Sequence, residues 1–237
     1  MRYAAALLLV LIARAYGATV AVDVGHYNAE PGALSARGRP EFEFNRDLAA
    51  DVAGALRARG VQPRLIGADG SMVHLSRRTA AAVGADLLLS VHHDSTQPQF
   101  FLGWSDHGVD RSYSDRYAGF SLFVSRRNVD LPASLRCASA IGAALRAGGF
   151  RPSLYHADPI PGESKPFADR ENGVHYYDNL VVLHTARSPA VLLEAGVIVN
   201  RDEETKLASP ETRRRIASAV AEGVSRCLAP RTGAPSL

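Results

Sequence analysis

The chain has 237 residues, 46% hydrophobic and 22% charged, with a formal net charge of +3. That length suits one domain able to bury a full core, and the composition is that of an ordinary globular protein without repeats or low-complexity linkers. So small a positive excess is compatible with a polyanionic partner and does not call for nucleic acid.

In chain order, Met1-Arg2 is a short basic start, residues 4–12 form an apolar run, and Ala15-Tyr16-Gly17 supplies small residues for a cut. Residues 1–17 therefore read as a secretory signal peptide, with a run too short to span a bilayer. No later run is long enough to span, so the exported chain is expected to have no stable membrane insertion. Residues 19–24 are rich in β-branched types and read as a strand. A loop with Gly32 and Gly38 follows, then a helix over 41–59, with Phe44, Leu48, Val52 and Leu56 on one face and Gly60 as its stop. Residues 61–66 read as a strand that Pro63 would suit to a sheet edge, and 75–83 as an alanine-rich helix. Residues 87–91 form an apolar strand running into His92-His93-Asp94.

Residues 97–117 read as loop, 120–124 as a half-buried strand, and 132–145 as a helix ending at Gly148-Gly149. Residues 151–177 carry many Pro, Gly and charged residues without a period, the mark of a functional or mobile insertion. Residues 180–183 and 190–194 read as strands, Ser209-Pro210 opens a last helix, and 231–237 form a disordered tail. Alternating strands and helices imply an α/β fold. We expect a single domain over 18–230, with a mostly parallel sheet between helices on both faces. Cys137 and Cys227 lack metal spacing; one disulfide or two buried thiols are both open.

Three strands end in imidazole or acid: His26, His92-His93 and Glu194. Glu41 opens the first helix just after the loop that follows His26. Ligands collect at such strand ends in open α/β sheets. Two histidines, one carboxylate and an open position make the common ligand set of a hydrolytic zinc site, with a further carboxylate as general base. Taken singly, His26 reads as a loop histidine and Glu41 as a solvated acid favoured by the helix dipole. Glu194 closes an apolar run and needs a partner or a metal. No helical H-E-x-x-H is present, which excludes a thermolysin-type protease.

Four blocks in order resemble the zinc-dependent N-acetylmuramoyl-L-alanine amidases of type 3. Val22-Asp23-Val24-Gly25-His26, with Pro31-Gly32-Ala33 and Gly38, is similar to the family's D-P-G-H opening and glycine loop. Glu41, four residues before Asn45, resembles its E-x-x-x-N-L helix start. Ala85 to His92 resembles A-D-L-x-x-S-I-H, and Pro189 to Gly196 with Asn200 resembles P-A-V-L-V-E-x-G-F-x-x-N. The resemblance implies a twisted sheet of about six strands and one zinc ion per chain held by His26, Glu41 and His92. It implies Glu194 as the catalytic carboxylate, and peptidoglycan or muropeptides as substrate in the periplasm or cell envelope. Glu43 rivals Glu41 but lacks the four-residue step to Asn45. The departures are Val24 for proline, Tyr27 and Asn28 for glycines, His93 for alanine and Val197 for phenylalanine. An exported zinc carboxypeptidase, or a wall-binding module without activity, are the alternative readings. A regulatory protein partner is left open.

Overall fold

The computed structural model describes residues 17–229. The expected signal peptide, Gly17 apart, and the expected tail lie outside the described residues. The strands are β1 (Thr19–Val24), β2 (Gln62–Ile66), β3 (Leu87–Asp94), β4 (Leu102–Asp106), β5 (Val109–Tyr113), β6 (Ser121–Val124), β7 (Phe167–Asp169), β8 (Val174–Tyr176) and β9 (Ala190–Val197). The helices are α1 (Glu41–Ala58), α2 (Leu75–Ala81), α3 (Leu131–Ala147), α4 (Val181–His184), α5 (Arg201–Ala208) and α6 (Pro210–Leu228).

One sheet holds seven strands in the order β2-β1-β3-β9-β6-β8-β7. β2, β1, β3 and β9 run parallel, β6 is antiparallel to β9, and β8 is parallel to β6. Strands covered on both faces read as continuous apolar runs, which is why Leu87, Leu88 and Leu89 are all fully buried. On one face Val22, Leu89, Val91 and Leu193 pack against Phe44 and Leu48 of α1, Ile141 and Leu145 of α3, and Ile216 and Val220 of α6. On the other face Ala21, Leu88 and Leu192 pack against Ala82, just after α2, and Val182 and Leu183 of α4. Each such Val, Leu, Ile or Phe contributes about 1.5–3 kcal/mol by leaving water. Cys137 of α3 and Cys227 of α6 form a disulfide across the first layer.

Pro63 lies on the edge strand β2, where its missing N–H costs no ladder bond. Four expectations are corrected. Residues 180–183 were expected as a strand, but Val181–His184 form one helical turn; so short an apolar run has no readable period, and its packing on the sheet decides. Residues 97–117 contain the β4–β5 hairpin rather than loop alone, turning at His107 and Gly108, both with positive φ. The stretch 151–177, read as lacking a periodic structure, supplies β7 and β8 to the seven-stranded sheet. β6 was expected half-buried, yet all four of its residues are buried, because α3 packs against it and Phe123 meets His156 and Tyr177 of the 151–177 stretch.

Candidate metal centre and the acid beside it

The site begins where β1 ends. The ladder carries one step past Val24, with Gly25 N–H donating to the Val91 carbonyl at 3.0 Å. His26 then turns left-handed with φ 68°, a conformation costing a non-glycine residue about 1 kcal/mol. Arg78, buried in α2, holds the turn: its guanidinium donates to the carbonyls of Val24 and His26, and to that of Met72 at 3.0 Å. The same guanidinium pairs with buried Asp23 at 2.7 Å, and Asp23 accepts from Ser90 Oγ at 2.7 Å. Arg78 went unnoticed in the sequence; the available signal was Asp23, an acid within an apolar strand, which needs a partner.

Glu41 is the first residue of α1 and is only 5% exposed, so the solvated-acid reading does not hold. Its carboxylate accepts from Ala33 N–H at 3.2 Å, Asn45 Nδ2 at 3.0 Å and His93 N–H at 3.3 Å. It lies 3.0 Å from His26 Nε2 and 3.1 Å from His92 Nδ1. The three residues bring one ligand atom each to within 4.8 Å of one another. Burial would raise the Glu41 carboxyl, but the contacts with His26 and His92 outweigh it and hold it well below the usual range. Gly25 and Gly32 make the cluster possible: a Cβ on Gly25 would enter the His92 ring, and one on Gly32 would meet Glu41 and stand 2.9 Å from His26 Nε2. Glu43, the rival acid, points to Arg39 at 3.1 Å instead.

β3 separates its two histidines by alternation. His93 faces α1, buried beside Phe44, and hydrogen-bonds Asn45 Oδ1 through Nδ1 at 2.8 Å. Burial keeps its pKa down to about 3, so His93 is neutral and braces the residue that braces Glu41. On this face His93 is buried behind the cluster. His92 faces the other way, and Glu194 is its register partner on the neighbouring strand β9. Glu194 Oε2 is buried without a hydrogen-bond partner among the described residues. Burial first, then the charges of Asp94 and Glu41, raises the Glu194 carboxyl well above the usual range. The donor set, two imidazoles and a carboxylate with hydrogen-bonded support behind them, fits a divalent zinc ion.

Glu194 also lines a cavity of about 250 Å³ whose far wall comes from the 151–177 stretch. There His156 bridges Asp94 and Glu163, at 2.8 Å each, and Lys165 reaches Glu163 at 2.7 Å. Tyr155 donates to Asp94 at 2.9 Å, and His175 stacks edge-on at 5.7 Å. His156 and His175 are both buried. Burial alone would lower His156, but Asp94 and Glu163 raise it to about 9 from 6.5. A raised folded pKa gives stability that is complete below pH 6.5 and lost as pH rises through about 9. Urea unfolding is expected to show that His156→Gln costs up to about 3 kcal/mol at pH 6 and much less at pH 9.5. An equal cost at both would refute the charged bridge.

The model of the N-acetylmuramoyl-L-alanine amidase family (amidase type 3) matches residues 20–226. The chain is 27% identical over 216 residues to the N-acetylmuramoyl-L-alanine amidase AmiA of Escherichia coli K12, covering 86% of this chain and 74% of that protein. Its fold is similar to that of the amidase Ami1 of Mycobacterium smegmatis, with a TM-score of 0.70 and 22% identity, covering 90% of this chain and 97% of that one. It is also similar to the CwlD amidase of Clostridioides difficile, solved in complex with the GerS lipoprotein, with a TM-score of 0.65 and 18% identity over 90% of this chain and 98% of that one. With its sheet, the four blocks and the family match over nearly the whole described length, the chain belongs to the N-acetylmuramoyl-L-alanine amidase family and is a peptidoglycan amidase of that class.

Proposed function

We propose that the chain is an exported, zinc-dependent N-acetylmuramoyl-L-alanine amidase, cleaving the amide between the lactyl carbonyl of muramic acid and L-alanine. One observation carries the reading: Glu194, whose Oε2 has no hydrogen-bond partner among the described residues, is in register with His92 of a His26–Glu41–His92 cluster. His26, Glu41 and His92 would hold the ion. Zinc, when bound, supplies a Lewis acid for the amide carbonyl and lowers the pKa of a nearby water.

The chain's own residues do the rest. Glu41 is fixed by Ala33, Asn45 and the His93 amide, so the ligand set is prearranged. Asp23 and Arg78 hold the turn that presents His26. Glu194 takes the proton of the attacking water and returns it to the departing L-alanine amine. Its buried surroundings make it a stronger base than an exposed glutamate, which suits the first half of that task. Export is supported by the disulfide, which belongs to an oxidising compartment, and by the leader composition of residues 1–17.

Metal removal tests this reading. Dialysis against a chelator is expected to abolish amidase activity, and about one equivalent of zinc per chain to restore it. Full activity in protein shown by elemental analysis to be metal-free would overturn it.

A further inference from the structure

The β4–β5 hairpin places an arginine where a ligand is needed to complete it. Arg111 on β5 pairs in register with Trp104 on β4. Trp104 Nε1 donates to the Ala36 carbonyl at 3.1 Å, and the guanidiniums of Arg37 and Arg201 each lie 5.4 Å from its ring centroid. The hairpin is thereby fastened to the glycine loop that precedes α1. Between loop and hairpin is a cavity of about 390 Å³. Ala33, Leu34, Ser95, Phe101 and Arg111 line it. A volume of this size accommodates a short peptide segment.

This cavity adjoins the metal cluster on two sides. Ala33 gives its N–H to Glu41, and Ser95 follows His92 by three residues and also lines the cavity that contains Glu194. The Arg111 guanidinium lies close against Gly38, where a Cβ would collide with it. Its Nε is buried with no hydrogen-bond partner, and no ion pair engages it among the described residues. Asp110 shares the wall without contacting it. A buried, unsatisfied guanidinium N–H is costly to keep. Where Arg111 lines the cavity, a planar carboxylate is the matching ligand, since the guanidinium fork offers N–H donors to two oxygens at once. Leu34 and Phe101 offer apolar surface for the methylenes that carry such a group.

We propose that Arg111 is a specificity residue that binds a free carboxylate of the substrate's peptide portion, on the hairpin side of the metal cluster. The inference rests on the amidase reading, because it takes the occupant to be a peptide whose N-terminal amide lies at His26, Glu41 and His92.

Calorimetric titration separates the two. The probes are a purified disaccharide-peptide with free peptide carboxylates and the same compound with those carboxylates amidated, added to zinc-loaded Glu194→Gln protein so that neither is consumed. The free-carboxylate compound is expected to bind at least about tenfold more tightly, the size of one charge-assisted contact. Adding Arg111→Met should erase that preference and leave the amidated compound's affinity unchanged; Arg111→Lys should keep part of it. A preference that survives Arg111→Met overturns the proposal, as does equal weakening of both compounds. If the preference behaves as expected but the native enzyme releases no L-alanine amine from either compound, the carboxylate site stands and the amidase reading fails.

Discussion

Replacing Glu194 with Gln is expected to lower kcat on purified muropeptides by about a thousandfold or more, within the range attributed to a positioned acid–base group. The substitution keeps shape and removes the proton acceptor. Zinc content should stay near one per chain, because none of the three ligands is touched. Stability should hold or rise, since a buried carboxyl repelled by Asp94 and Glu41, with Oε2 lacking a hydrogen-bond partner among the described residues, becomes a neutral amide. The separation of activity from zinc content and stability distinguishes a proton carrier from a structural acid. Activity within tenfold of the native enzyme would rule out the assigned role.

Arg78→Met is expected to have the largest effect on folding. Arg78 and Asp23 are 2% and 1% exposed, so the variant strands a charge in the interior. Breaking a buried pair by removing one partner costs about 3–5 kcal/mol. It also removes the donors that hold the carbonyls of Val24, His26 and Met72. The left-handed turn at His26 then loses its brace, and zinc affinity should fall with stability. Urea unfolding measures the first effect and a metal-competition titration the second. Adding Asp23→Asn should recover much of the stability by removing the stranded charge, but not the zinc affinity, because His26 remains unbraced. If the single variant unfolds within 1 kcal/mol of the native protein, by the scale for buried pairs, the pair does not support the site.

The parts of the site legible in the sequence are those encoded locally. β1, β3 and β9 are buried on both faces, so each reads as an apolar run and the polar residues in or just after it stand out. Glu194 shows itself as the one acid in an otherwise apolar strand, and alternation along β3 separates His92 from His93. What was not legible depends on distant partners. Arg78 meets Asp23 across 55 positions, and His156 meets Asp94 across 62. Neither arginine nor histidine carries a local mark of such a bond. β7 and β8 have three residues each, too few for a period, and exist because β6 offers an edge to pair with. Asn200 was legible only as part of a motif; in the fold it caps α5, accepting from Asp202 and Glu203, and ties it to the Tyr117 carbonyl.

Mass spectrometry of muropeptides digested by the zinc-loaded protein tests the central claim most directly. The account predicts glycan freed of peptide together with intact stem peptides, each carrying a new free L-alanine amine. Peptides shortened within or at their C-terminal end, with the lactyl–alanine amide intact, would contradict it.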